Sequence, residues 1–303
     1  MTMLALAPMD TTELTDLATI SRATAFEALH RAKVDFTVEK TPIYLPNGRV
    51  IPKQWANVRT DTGAALGIVG DRYQVIQNQS GLDLFDVAAA QGAIEYGKAG
   101  TFKGGAITWL QAKLPGSISV AGDEVAKYLL LANSHDGSGA LRILLTPIRI
   151  MCRNTLAMAL RADVGMSIRH TSSAEEKVRL AIAAVETAGH AYAQFADVAN
   201  GLHSRRLTHS QVRAYVDAVF PAPANEKPST RLENTRRKVI DLVDNGQGHY
   251  AIRGTAWAAY NAVAEYTDHH RATRGDESNR LESAWFGQGA AIKRRALTLA
   301  LAA

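Results

Sequence analysis

At 303 residues with 47% hydrophobic content, the chain can bury a substantial core as one large domain or two smaller ones. No apolar run approaches the roughly 20 residues that span a bilayer, and MTMLALAPMD lacks the basic start and apolar core of a secretion signal, so the sequence reads as cytoplasmic and free of membranes. A single cysteine, Cys152, excludes an intramolecular disulfide framework and a cysteine-based zinc site, and the net charge of +5 falls wholly in residues 151–303, which hold 20 basic and 15 acidic residues against 14 and 14 in residues 1–150.

In chain order, residues 1–20 read as a flexible terminus. SRATAFEALHRAKV then shows a short helical pattern capped by Ser21. The period changes to two in DFTVEKTPIYLPNGRVIP, a hairpin around Pro46-Asn47-Gly48, and again in WANVRTDTGAALGIVGDRYQVI around Asp61-Thr62-Gly63. QNQSGLDLFDVAAAQG reads as a helix capped by Asn78 or Ser80 and stopped by Gly92. AIEYGKAGTFKGGAITWLQAKLP and EVAKYLLLANSHDGSGALRILLTPIRIMC are two more hairpins. The His135-Asp136 pair with Ser134 has the residue types of a hydrolase triad, but neighbours on one loop lack triad geometry and read as turn chemistry.

The stretch from Lys127 to Arg169 carries Arg142, Arg149, Arg153, Arg161 and Arg169 against two acids, Asp136 and Asp163. Alternation along LRILLTPIRIMCR puts Ile143, Leu145, Pro147, Arg149, Met151 and Arg153 on one face, so two guanidiniums project beside apolar neighbours. Such a face suits an anionic partner or buried carboxylates equally. Pro147 lacks an N–H for the ladder, which predicts an edge strand or a bulge.

Beyond Asn154 the pattern is helical, apart from a short strand near Met166 to Arg169. A long helix over about Ser173 to His203 carries Val178, Ala181, Val185, Ala188, Tyr192, Phe195, Ala199 and Leu202 at spacings of 3 and 4, a seam to be covered by a later helix or by a second copy of the chain. PAPANEKPST, at residues 221–230, is a Pro-rich linker, followed by RLENTRRKVIDLVDN, GTAWAAYNAVAEYTDHHRA and NRLESAWFGQGAAIKRRALTLALAA. The fold class is therefore α+β, with an N-terminal antiparallel sheet of hairpins with packed helices over residues 21–170 and a mostly helical region over 171–303.

Several groups could carry chemistry. In FGQGAAIKRRA, Gly287 and Gly289 permit a tight turn into a helix whose first turns hold Lys293, Arg294 and Arg295, an anion-binding arrangement without P-loop spacing. Arg236, Arg237 and Lys238 form a further basic cluster, as do Arg205 and Arg206. Tyr73, Trp109 and Tyr128 lie on strands and could stack unpaired bases, or belong to the core. Asn261, Glu265 and Asp268 or His269 share one helix side, as a polar network or a sparse metal site. The sequence shows no nucleophile elbow, HExxH pair or dinucleotide fingerprint, which leans against an enzyme and against any cofactor or resident metal.

GIVGDRYQVIQNQSGLDLFD, LLTPIRIMCRNTL, GTAWAAYNAVAEYTDHH and FGQGAAIKRRA, in this order, resemble the signature segments of the phage/plasmid-like protein family, also called domain of unknown function 932. The resemblance covers about Phe36 to Ala296 and implies a mobile-element setting, and through it DNA metabolism. The leading expectation is a non-enzymatic protein that binds single-stranded DNA in recombination or replication, strand annealing included, presenting Arg142, Arg149, Arg153 and the basic helix ends to the phosphates. The rival is an interaction protein acting through the seam of helix 174–203, indifferent to DNA. A third reading is a metal-dependent nuclease using Glu265 and Asp268.

Overall fold

The computed structural model describes residues 25–79, 94–120, 122–139, 141–149, 155, 166–168, 174–272 and 277–302. It is an α+β protein in which strands dominate the N-terminal half and helices the C-terminal half. Its elements cluster into two units. The first takes the chain up to Ala112 with Leu131–Leu141 and Arg169–Ser172; the second takes Lys113–Leu130, Arg142–Ile168 and everything from Ser173.

In the first unit, helix α1 (Ala25–Arg31) precedes a three-stranded antiparallel sheet of β1 (Val38–Tyr44), β2 (Val50–Arg59) and β3 (Ala65–Gly70), in that order. Both expected tight turns are present, and Gly48 and Gly63 supply the positive φ, 78° and 71°, that they need. Val38 pairs with Arg59 and Tyr44 with Val50, with a shift in register between Pro42 and Tyr44. β4 (Glu95–Phe102), β5 (Ile107–Val120), β6 (Asp123–Ser134), β7 (Leu141–Arg149) and β8 (Met166–Ile168) form a five-stranded sheet in sequence order. β7 is therefore not an edge strand: β8 follows it in the order, and Pro147 is buried rather than open to a partner. The helix expected over QNQSGLDLFDVAAAQG lies outside the described residues from Ser80 onward, and its proposed cap Asn78 is buried in a polar cluster.

That cluster holds the first unit together. Asn78 donates to the carbonyls of Val34 and Phe36 and accepts from Thr108 at 2.9 Å, while His135 Nε2 lies 2.8 Å from Asn78 Oδ1. Asn133 donates to Ile76 O and Asn57 to His135 O. All five side chains are buried, and the hydrogen bonds among them and to backbone carbonyls offset much of the cost of burying them. The loop after His135 is turn chemistry: Asp136 accepts from the Ser134 hydroxyl and the Ser138 amide, and His135 turns inward. Gly67 is required by this loop, since a Cβ there would stand 2.5 Å from Asp136 Cα.

The second unit is built around α5. Helix α2 (Ala174–Ser204) is followed by α3 (His209–Val219), α4 (Thr230–Asn245), α5 (Ala256–Glu265), α6 (Glu277–Trp285) and α7 (Gln288–Ala302). Every residue of α5 is buried, as expected of a helix enclosed on all sides. Seam positions Ala188, Tyr192, Phe195, Ala199 and Leu202 of α2 are at most 2% exposed. Phe195 meets Trp257 of α5 at 6.1 Å, and the Tyr192 hydroxyl bonds both the N–H and the carbonyl of Tyr128 on β6. The described part of the seam is thus covered within the chain, by α5 and β6.

After Glu265 the helix widens into a π turn over Tyr266–His270, where Arg271 N donates to Tyr266 O at 2.7 Å. A buried interlock pins this turn. Asp268 accepts from the Thr155 N–H and hydroxyl, both at 2.7 Å, and pairs with Lys293 Nζ at 2.8 Å; Lys293 also bonds the Thr155 hydroxyl. Burial pushes the Lys293 ammonium below its ordinary value, and the Asp268 charge opposes that push.

Asp268→Ala leaves an uncompensated buried ammonium and should cost about 3–5 kcal/mol, against about 1–2 kcal/mol for Thr155→Val, measured by urea unfolding. Equal effects would show that the charge pairing does not hold the turn. Tyr192→Phe removes a hydroxyl that serves two backbone groups and should lower the unfolding free energy by about 1–3 kcal/mol in the same assay.

Candidate anion-binding groove

The basic residues singled out in the sequence do not share one environment. Arg236 is committed to the end of α3: its Nε and Nη2 donate to Phe220 O at 2.9 and 2.6 Å, and Nη1 lies 3.1 Å from Asp217. Lys293 is 2% exposed and held by Asp268, so it adds no open charge at the start of α7, correcting the anion-site reading of FGQGAAIKRRA. The glycines there serve packing instead: a Cβ on Gly289 would come within 2.9 Å of Ser283 O. Lys238 pairs with Asp241 at 3.5 Å, Arg237 is exposed beside Asn234, and Arg294 and Arg295 are exposed. Arg142 is half-buried on β7; the side chain of Arg149, and Arg153, Arg161 and Arg169 entirely, lie outside the described residues.

The three candidate stacking rings also diverge. Trp109 is 4% exposed and lies stacked against Phe102 with centroids 5.9 Å apart, so it is core and not a platform. Tyr73 is half-buried, its hydroxyl donates to Ser134 O, and burial raises its pKa. Tyr128 is half-buried beside Tyr192.

A different set of residues converges. Where α3 ends, α4 begins and the π turn closes, the second unit has a groove of about 640 Å³ with no aspartate or glutamate among the described residues that line it. The three prolines of residues 221–228 keep the linker out of helix, and Ser229 caps α4 by accepting from Leu232 N. This places Arg231, exposed, in the first helical turn, where the exposed N–H groups already favour an anion. From the other side the π turn delivers Tyr266, His270 and Arg271.

Arg271 is held in place. It donates to the Ser283 hydroxyl at 3.0 Å and to the Gln288 side chain, while Ser283 also accepts from Gly289 N. Two of its five N–H groups are thereby used, which orients a guanidinium that still has donors to offer. The Tyr266 hydroxyl shares a hydrogen bond with Thr235 at 3.0 Å, and its ring stands edge to face with Phe220 at 5.8 Å. His270 Nε2 is 3.6 Å from Glu265 Oε1, behind the lining; the other oxygen of Glu265 is 3.6 Å from buried His249, and Gln247 N donates to both.

Chemically the groove is an anion receptor: two guanidiniums, an imidazole, the hydroxyls of Ser229 and Thr235, amides of Asn234 and Gln288, and an aromatic wall. The carboxylates of the nuclease reading are already engaged, Glu265 by Gln247 with His249 and His270, Asp268 by Thr155 and Lys293. Asn261 is buried and donates to Trp257 O. Among the described residues no group of three or more His, Cys, Asp or Glu is placed to hold a metal ion, and no helix is long and apolar enough to cross a membrane. Sequence reasoning missed Arg231, His270 and Arg271. The first was marked only by following a capped start, and the other two depend on a π turn that no residue pattern announces.

No curated protein and no solved structure matches this chain. A family model matches residues 65–285, from β3 through α6, and the match takes in the linker, the Ser229 cap and the whole π turn, all but the Gln288 end of the groove. The chain accordingly belongs to the family described as domain of unknown function (DUF932).

Proposed function

We propose that this protein binds single-stranded DNA without transforming it, as a recombination or replication factor, with the groove of the helical unit as a principal contact. The observation that carries the reading is the convergence of Arg231, Arg271 and His270 on a groove whose described lining residues include no carboxylate, with Tyr266 on its wall. Guanidiniums fit phosphate oxygens, and an aromatic neighbour suits an unpaired base in a way that no paired base can use. The excess of basic residues in the second half of the chain agrees with it. Arg142, Arg237, Arg294 and Arg295, none buried in the structure, are the remaining candidates for secondary phosphate contacts.

Fluorescence anisotropy with a labelled oligothymidylate at 50 and 200 mM salt tests this. Binding should weaken with salt, and Arg231→Gln should loosen it by about tenfold and flatten the log–log salt slope by roughly 0.7, the value of one single-strand phosphate contact. No binding at the lower salt would sink the proposal.

A further inference from the structure

The groove draws on few of the cations of the helices around it. On the same helices, Arg236 is closed off by Phe220 O and Asp217, Lys293 by Asp268 and Thr155, and Arg237 and Lys238 do not line it. Within the groove the two guanidiniums stand among the apolar side chains of Phe220 and Ile292. The volume of about 640 Å³ is that of a site for one small ligand, within the usual ~300–1,000 Å³.

The charge count is also particular. An internal phosphodiester carries one negative charge, whereas a phosphomonoester carries about 1.5 to 2 at neutral pH and offers three strong acceptor oxygens. Arg231 and Arg271 supply two permanent positive charges, and His270 with the hydroxyls of Ser229 and Thr235 supplies further polar partners. Glu265, the acid that reaches His270, is itself held by Gln247 and His249, so it does not fill the groove in place of an anion.

We infer that the groove takes the terminal phosphomonoester of a nucleotide, with the phosphate between Arg231 and Arg271 and the base against Tyr266. The nucleotide identity of the ligand rests on the single-stranded DNA reading; the preference for a terminal phosphate does not. Two sources share this chemistry, the phosphorylated end of a strand and a free mononucleotide.

Competition against a labelled oligothymidylate separates them. The competitors are the same oligonucleotide with a 5′-phosphate, with a 3′-phosphate, or with neither; an unphosphorylated one two nucleotides longer, which matches the added charge; and thymidine monophosphate and thymidine by calorimetry. A strand end phosphorylated at 5′ or 3′ should bind about tenfold more tightly than both unphosphorylated controls, and the monophosphate should bind where thymidine does not. Arg231→Gln and Arg271→Lys, each checked for an unchanged melting temperature, should erase that preference while leaving residual oligonucleotide binding. Equal affinity for all oligonucleotides, with no binding of the monophosphate, would overturn the terminal-phosphate assignment and leave the strand-binding reading standing. Binding of the monophosphate with no binding of any oligonucleotide would do the reverse and identify the free nucleotide as the occupant.

Discussion

A carboxylate and an ammonium buried together are the constraint on which the groove depends. Asp268 lies in the middle of the π turn and can be buried only because the Thr155 amide and hydroxyl and the Lys293 ammonium meet its oxygens. Desolvating both ions is expensive, so the pair adds little to stability compared with an apolar substitute, but any geometry that separates the partners is heavily penalised. The pair therefore acts as a register device. It fixes the rotation of the turn, and with it the directions in which Tyr266, His270 and Arg271 leave the backbone. It also fixes α7, whose first residue, Gln288, orients Arg271.

The helical unit uses much of its positive charge on its own backbone. Arg205 donates to Ala300 and Leu301 carbonyls near the end of α7, Arg206 to Arg253 O, Arg236 to Phe220 O after α3, and Arg253 to Asp244 O near the end of α4. The last carbonyls of a helix lack intrahelical donors and carry its negative pole, so a guanidinium there satisfies a hydrogen bond and a dipole at once. The net charge of the chain therefore overstates the charge that a partner meets. Arg231 and Arg271 differ in kind: the first stands at the positive end of a helix, where it opposes the dipole, and the second is braced by neutral side chains.

The hairpins were legible because glycine turns and alternation report local backbone geometry, and Asn47-Gly48 and Thr62-Gly63 lie where the chain reverses. The linker before α4 was legible from its three prolines, while its serine cap, Ser229, was not singled out. What could not be read were outcomes of long-range contact. Lys293 looks like a solvated first-turn lysine until Thr155 and Asp268, 138 and 25 residues away, are brought to it. Trp109 fits a strand platform equally well until Phe102 covers it. The break of α5 into a π turn carries no proline or glycine to mark it. One signal was readable and passed over: Thr208 and Gln211 form a capping box that opens α3 within the span read simply as helical.

The groove conflicts locally with stability. Two guanidiniums share a groove with no carboxylate among its described lining residues, and Arg231 sits against the unfavourable pole of its own helix. Several other basic side chains of the unit are matched: Lys293 by Asp268, Arg236 by Asp217 and a carbonyl, Arg205 and Arg253 by carbonyls. The fold gains nothing for its own stability by leaving the two guanidiniums together with no carboxylate among the described lining residues. Local violations of otherwise consistent folding rules concentrate where a ligand completes the arrangement. The missing counter-charge is then a property of the free protein alone, and the binding of an anion supplies it.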